Sequence, residues 1–468
     1  MVRHKGQTTA IETAVAIAVI LVGVYALLEI IPQYSHVTGT QVNTFQLEET
    51  AQEVLQEILT TPGYPINWGL NASSLSAFGL AEPGEPYVLD PFKVINLIYW
   101  GYSNGYGNGA YCSLNKTVSN GFETYLNESG INTLQLDNFL LVPGGSKWIV
   151  SYEEVKTLLG LNGYDFMLTI EPLFNVTVLP PRGNSSSTVV IVEVTRFGES
   201  GSDSAVINAT VSLQYLIATT SGNGINEVIQ GDAAASTNAS GYAKITINAP
   251  YSSNNFYYFD AFASLDGYGD HGYYTTAAQA PLLMAMILPF TSSYNNITFI
   301  DPHLLTNCLL NSGEISNPGQ SALGLRIAAV YKSIYGYTFN SINFTLNPGK
   351  GSKSYPIPCT VLQSLQSSHG NGGQKYSACY WSLPTTPLFL VVSVYRNSNG
   401  QSGSVPLHEI LLIPYGISPQ YYLSNREIVF GKSVSNAPTG TASSLVQIGD
   451  STYTAKIVLY YDGDFLAG

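Results

Sequence analysis

The chain has 468 residues, of which 45% are hydrophobic and only 10% charged, with a net charge of −13. That length suits about two to four domains with cores of ordinary size, while 18 basic against 31 acidic residues exclude the clustered basic surface that nucleic acid requires. With charge well under the roughly 25% of an average soluble protein, Tyr, Gly, Ser, Thr and Asn must cover the surface, and such a surface changes its charge little in acid.

Met1 to Gly6 carries Arg3, His4 and Lys5, and from Thr13 to Leu28 the sequence TAVAIAVILVGVYALL holds neither charge nor proline. A positive segment before an apolar run suits export or a membrane anchor. The run ends in Glu29-Ile-Ile-Pro32, without the small residues of a conventional signal-peptidase site. Beyond Pro32, which removes a helical hydrogen bond, Phe45, Leu47, Ala51, Val54, Leu55, Ile58 and Leu59 recur at helical spacing, and Thr61-Pro-Gly-Tyr-Pro65 ends the pattern. The expectation is a helix over 7–60, apolar in its first half and amphipathic in its second.

Lys5-Gly6 before Gln7, with Glu12 close behind, resembles the class III signal peptide of archaeal type IV pilin-like proteins. The stretch Pro62-Gly-Tyr-Pro-Ile-Asn-Trp-Gly69 resembles a motif that follows the N-terminal helix in many such surface proteins. The likeness continues through Phe78–Ala81, Leu89–Lys93, Leu158–Leu161 and Tyr164–Ile170, so that it covers 1–180 with gaps. It implies a leader 1–6 cut between Gly6 and Gln7 by a prepilin-type peptidase, and a retained helix contacting membrane lipid or neighbouring pilin helices. Glu12 would be sixth in the mature chain, where the family places its acid fifth. A carboxylate in an apolar helix is costly to bury unpaired, so Glu12 either meets the Gln7 amine of a neighbour or lies at the membrane interface.

Residues 61–180 read as a small α+β head. Asp90 before Pro91 is a helix start, Ser151 and Glu154 form a capping box with Gly160 as the stop, and Phe166–Ile170 with Phe174–Leu179 are strands. Trp68 and Tyr64 suit a packed corner better than a sugar platform. Gly101–Gly109 lacks the strand, helix and Lys of a phosphate loop and reads as an exposed loop. After the polar linker 180–187 the pattern becomes strand-like, and 186–285 reads as a β-sandwich, with Ser236–Ile247 resembling immunoglobulin-like surface modules. Seven or more further candidate strands place another β domain in 286–468. The fold class expected is mainly β with a long N-terminal helix.

Nine Asn-x-Ser/Thr sequons occur, at Asn71, Asn115, Asn127, Asn175, Asn184, Asn208, Asn238, Asn296 and Asn343, none within the N-terminal helical region. They fit a glycan-bearing exterior. Of Cys112, Cys308, Cys359 and Cys379, the last two flank the turn-forming His369-Gly-Asn-Gly-Gly373 and make the favoured disulfide, buried thiols being the alternative. Asp266-Gly-Tyr-Gly-Asp270-His271, with Asp260, is the richest polar cluster, either a calcium loop or an Asp-Gly turn between strands. No His-Glu-x-x-His or Gly-x-Ser-x-Gly appears, and neither catalytic residues nor a cofactor or metal is expected. The expected function is a non-enzymatic minor or tip subunit, structural or adhesive, displayed on the cell surface from the membrane or a filament, with surface glycans as candidate partners. A membrane-anchored sugar or solute receptor is the alternative.

Overall fold

In the computed structural model, residues 44–70, 72–104, 149–198, 204–221, 224–276, 423–433 and 438–461 are described, together with isolated strands between 110 and 141 and between 284 and 413. The protein is mainly β, with three α-helices and largely antiparallel sheets among the described residues. The helix expected over 7–60 is described only from 44 to 60, so a long helix is not shown; Gly6, Gln7 and Glu12 lie outside the described residues.

In chain order the elements are α1 (44–60), β1 (Ala81–Glu82), β2 (Glu85–Leu89), α2 (Pro91–Ser103), α3 (Tyr152–Leu158) and β3 (Tyr164–Pro172). Next come β4 (Phe174–Val178), β5 (Thr188–Arg196), β6 (Thr210–Ser221), β7 (Gly224–Ser236), β8 (Tyr242–Ile247), β9 (Phe256–Leu265) and β10 (Tyr268–Thr275). The C-terminal part adds β11 (Ile428–Gly431), β12 (Thr439–Ile448) and β13 (Ser451–Tyr461).

The head is a six-stranded sheet in the order β1-β2-β12-β13-β3-β11, covered by the helices. On α1 the buried residues are Leu47, Ala51, Val54, Leu55, Ile58 and Leu59, one stripe at helical spacing. Gly440 of β12 lets α1 lie directly on the sheet, because a Cβ there would collide with the Leu47 backbone. Trp68 is fully buried, donates its indole N–H to the Gly79 carbonyl (2.9 Å) and packs against Phe78. Tyr64, expected to share that corner, is instead 65% exposed. The predicted caps form: Asp90 accepts from Phe92 N–H (2.8 Å) and Ser151 from Glu154 N–H (3.1 Å). Gly160, at φ +67°, follows α3.

Residues 423–461, which the sequence pattern assigns to a C-terminal β domain, belong to the head. The β13 strand pairs along the whole of β3, and β11 pairs with its other edge. The reason is apolar: Phe430 of β11 packs against Trp100 (4.7 Å between centroids), Tyr152 (6.0 Å), Phe166 (6.0 Å) and Phe78 (6.1 Å). No local period in 286–468 reveals that these strands complete a surface begun by β3, far earlier in the chain.

Between β3 and the C-terminal strands, residues 174–275 form two sheets, β7-β6-β9-β10 and β8-β5-β4, sharing one core. Alternation dictates it: Thr188, Val190, Val192 and Val194 of β5 and Ala243, Ile245 and Ile247 of β8 are buried, their neighbours partly or fully exposed. Strands within 110–141 and 284–306 join Cys359–Leu365 and Gln374–Ser382 in an eight-stranded sheet, and four more between 322 and 413 form another. The strands between 110 and 141 thus pair outside the head sheet, although the sequence pattern includes this stretch in the head.

Phe430→Ala should remove the ring shared by four aromatic partners and destabilise the head by about 3–5 kcal/mol. Leu445→Ala, at an exposed site on β12, should change stability by less than about 0.5 kcal/mol. Urea unfolding followed by tryptophan fluorescence compares the two; equal midpoints would contradict the central place given to Phe430.

Candidate functional site: a buried histidine between head and sandwich

The polar cluster singled out in the sequence divides in two. Asp266 (φ +53°) and Gly267 (φ +87°) are the central residues of a two-residue hairpin turn joining β9 to β10, the Asp-Gly chemistry that such turns favour. Asp270 and His271 face inward. Among the described residues no group of three acid, His or Cys side chains is arranged to hold a metal ion.

The register places His271 opposite Phe262 and Tyr273 opposite Asp260. His271 and Asp260 are therefore diagonal neighbours on one face, and the imidazole Nδ1 lies 2.7 Å from Asp260 Oδ1. From the head, the turn between β12 and β13 brings Asp450, whose Oδ1 lies 3.0 Å from His271 Nε2. The approach falls outside aligned hydrogen-bond geometry, so this contact is an ion pair by distance. A carboxylate thus stands where a hydrolytic dyad would place its nucleophile. The ring is flanked by Tyr273, nearly parallel at 5.7 Å, and by Phe262 at 4.8 Å.

Burial disfavours the charged imidazole, but the Asp260 hydrogen bond and the close Asp260 and Asp450 carboxylates outweigh it and hold His271 up to about 10. Asp270, fully buried, departs from a normal carboxylate. Burial outweighs the help of the His271 N–H and the Ser451 hydroxyl and pushes it up to about 7. Asp270 Oδ1 accepts the His271 backbone N–H at 2.8 Å, while Oδ2 is buried with no partner in hydrogen-bonding geometry.

Two further ties cross the same junction. Asn425, just before β11, accepts from Val176 N–H (3.0 Å) and donates to Val176 C=O (2.7 Å), gripping β4 through both backbone groups. Thr452 accepts the Leu173 N–H at its carbonyl (3.0 Å) and the Gly269 N–H at its hydroxyl (3.4 Å). Asp260, Asp270 and His271 were visible in the sequence as a cluster. Asp450, Thr452 and Asn425 were not, because they come from segments remote in the chain.

A cleft of about 650 Å³ opens on the head, lined in part by Trp100, Tyr152, Glu153, Asp165 and Lys432. Its charges answer one another. Asp165 accepts from Tyr152 Oη (2.9 Å), Lys156 Nζ (3.0 Å) and Lys432 Nζ (3.2 Å), and Lys432 also lies 3.4 Å from Glu153. The cluster staples α3, β3 and the end of β11 together, and Gly431 (φ +118°) lets the chain pass where a Cβ would strike the Phe166 carbonyl.

Of the other predicted positions, Asn184, Asn208 and Asn238 are exposed on sandwich loops and Asn175 is half-buried on β4. Asn71, Asn115 and Asn127 lie outside the described residues, as do the side chains of Asn296 and Asn343. Cys359 stands directly opposite Cys379 in the antiparallel pairing of their strands. No helix among the described residues is long and apolar enough to cross a membrane, and residues 1–43 are not among them.

No protein-family model matches the chain, and no curated protein matches it. Among solved structures, one described as manganese lipoxygenase of Gaeumannomyces graminis with part of zonadhesin of Komagataella pastoris is 8% identical, with a TM-score of 0.12; the match covers 61% of this chain and 99% of that one. A two-domain structure of Extended-Synaptotagmin 2 is 11% identical with a TM-score of 0.10, over 64% of this chain and 91% of that one. Scores this low carry no argument about fold or function.

Asn425→Ala should leave the Val176 N–H and C=O without their partner at the junction, a cost of about 1–3 kcal/mol. Hydrogen exchange at the Val176 amide should accelerate by at least about tenfold, with amides in the centre of β5 unchanged. Unaltered exchange at Val176 would show that the grip does not hold β4 to the head.

Proposed function

We propose that this chain is a non-enzymatic cell-surface subunit of the archaeal type IV pilin-like kind, structural or adhesive in role. In this reading a prepilin-type peptidase cuts between Gly6 and Gln7, and the helix carrying Glu12 is held in the membrane or a filament core. The head and its β modules, the 174–275 sandwich being immunoglobulin-like, face outward and carry glycans at Asn184, Asn208 and Asn238. The observation that carries the reading is α1. Its one apolar stripe is used up inside the head core, and a short way upstream lies the uncharged run Thr13–Leu28. A helix whose far half builds a β head while its near half suits an apolar surrounding is the pilin plan. The triple tie at the junction supports it as well, since it fixes the sandwich to the head that would anchor it.

Mass spectrometry of protein from sheared surface filaments should find mature chains starting at Gln7. Glu12→Ala should be exported and processed normally yet disappear from the filament fraction, because breaking one partner of a buried ion pair typically costs about 3–5 kcal/mol. Equal recovery of variant and wild type in filaments rejects the pairing with the Gln7 amine. Recovery of both only in membranes favours a plain anchor.

An oxidising exterior should also join Cys359 to Cys379. Directly opposed residues on antiparallel strands have Cα atoms about 4.5–5.5 Å apart, within the range a disulfide spans. A non-reducing peptide map of native protein should yield one cross-linked pair enclosing His369; free thiols at both positions would reject it.

A further inference from the structure

We propose that the cluster of Asp260, His271 and Asp450, with Asp270 beside it, makes the head–sandwich junction a proton-controlled joint, clamped in acid and loosened as the medium turns alkaline. The geometry requires both bodies. Asp260 and His271 come from the sandwich and Asp450 from the head, so the His271–Asp450 ion pair exists only while the two are docked. Asp270 is fully buried where β10 meets β13, and separation would return it to water.

The groups facing this cluster are few. The β9 strand supplies Asp260 and Tyr258, and β10 supplies Asp270, His271 and Tyr273. The turn before β13 supplies Asp450, and β13 itself Tyr453. Burial holds Tyr273 and Tyr453 well above the usual phenol range, so both remain neutral. The β4 strand, packed on β10 at Val176 and Gly272, contains no titratable residue.

The two titrations act in the same direction. His271 keeps its Asp260 partner when the bodies part, so docking owns only the Asp450 share of its upward shift, and that share is lost as pH rises through about 10. Asp270 lies above the 3.8 of a free carboxyl, so docking favours its protonated form and weakens as pH rises from about 3.8 to about 7, then levels off. Linkage then makes the docking constant on the order of a hundredfold smaller at pH 8 than at pH 5 from Asp270 alone. Between pH 8 and 10 only His271 contributes further loss.

The test uses the full chain, with donor and acceptor dyes on unnatural amino acids in place of exposed Ala239 in the sandwich and exposed Glu85 in the head. The reading is the urea concentration at which energy transfer is half lost, taken at pH 5, 8 and 10. Wild type should show a midpoint that falls at each step. Asp270→Asn, a neutral mimic of the protonated acid, should lose most of the fall between pH 5 and 8 and exceed wild type at pH 8. Asp450→Asn, at a 59% exposed side chain and so tolerant of change, should lose much of the fall between pH 8 and 10. A wild-type midpoint that is flat or rises with pH overturns the proposal, as does either variant keeping the full wild-type slope in its own window.

Discussion

Residues 44–60 and residues 439–461 open and close the described part of the chain, yet the apolar stripe of α1 rests on β12 and shares one core with β13. The contact depends on Gly440, where any side chain would meet the Leu47 backbone. Once α1 is laid down there, β3 has a partner in β13, Phe430 has its four rings, and α2 and α3 have a sheet to cover. The rest of the described head follows from that closure. The sandwich begins directly after β3, which ties its N-terminal end to the head, while strands of two other sheets lie in the chain between its last strand and β11.

A short covalent link at one end limits separation but does not set an orientation. Orientation comes from polar groups placed where the two bodies touch, namely the Asn425 grip on Val176, the two Thr452 bonds and the imidazolium between carboxylates. Polar ties of this sort are directional, unlike apolar contact, so they select one docking angle. The costs of burying charge are met locally: His271 is charged because Asp260 and Asp450 are there, and Asp270 relinquishes its charge because burial outweighs what its neighbours offer. The cleft cluster around Asp165 follows the same rule, three donors converging on one buried carboxylate.

Local signals were legible in the sequence and long-range ones were not. The caps at Asp90 and Ser151, the stripe on α1, the alternation of β5 and β8 and the Asp-Gly hairpin each depend on residues within one turn or one strand, and each appears where the pattern put it. The place of 423–461 was hidden because a strand's period tells which residues face a core, never whose core it is. Asp450 escaped notice for a similar reason. In sequence it is one acid in a Gly-Asp-Ser turn, and only the fold brings it to an imidazole in a distant hairpin. Tyr64 shows the opposite error, an aromatic beside a buried tryptophan that the backbone turns out toward water.

The same long-range closure has a consequence for how the chain comes to be. Loop closure across such a span is entropically expensive and must precede the contacts that reward it. The sandwich, whose strands mostly meet sequence neighbours, can condense early and by itself. The head cannot, since α1 and β3 must wait for β11–β13 to be synthesised. Until then the apolar face of α1 stands open, a surface on which chaperones or stray chains would settle. A finished head therefore certifies that synthesis has run through residue 461, and premature termination leaves a folded sandwich on an unfinished base.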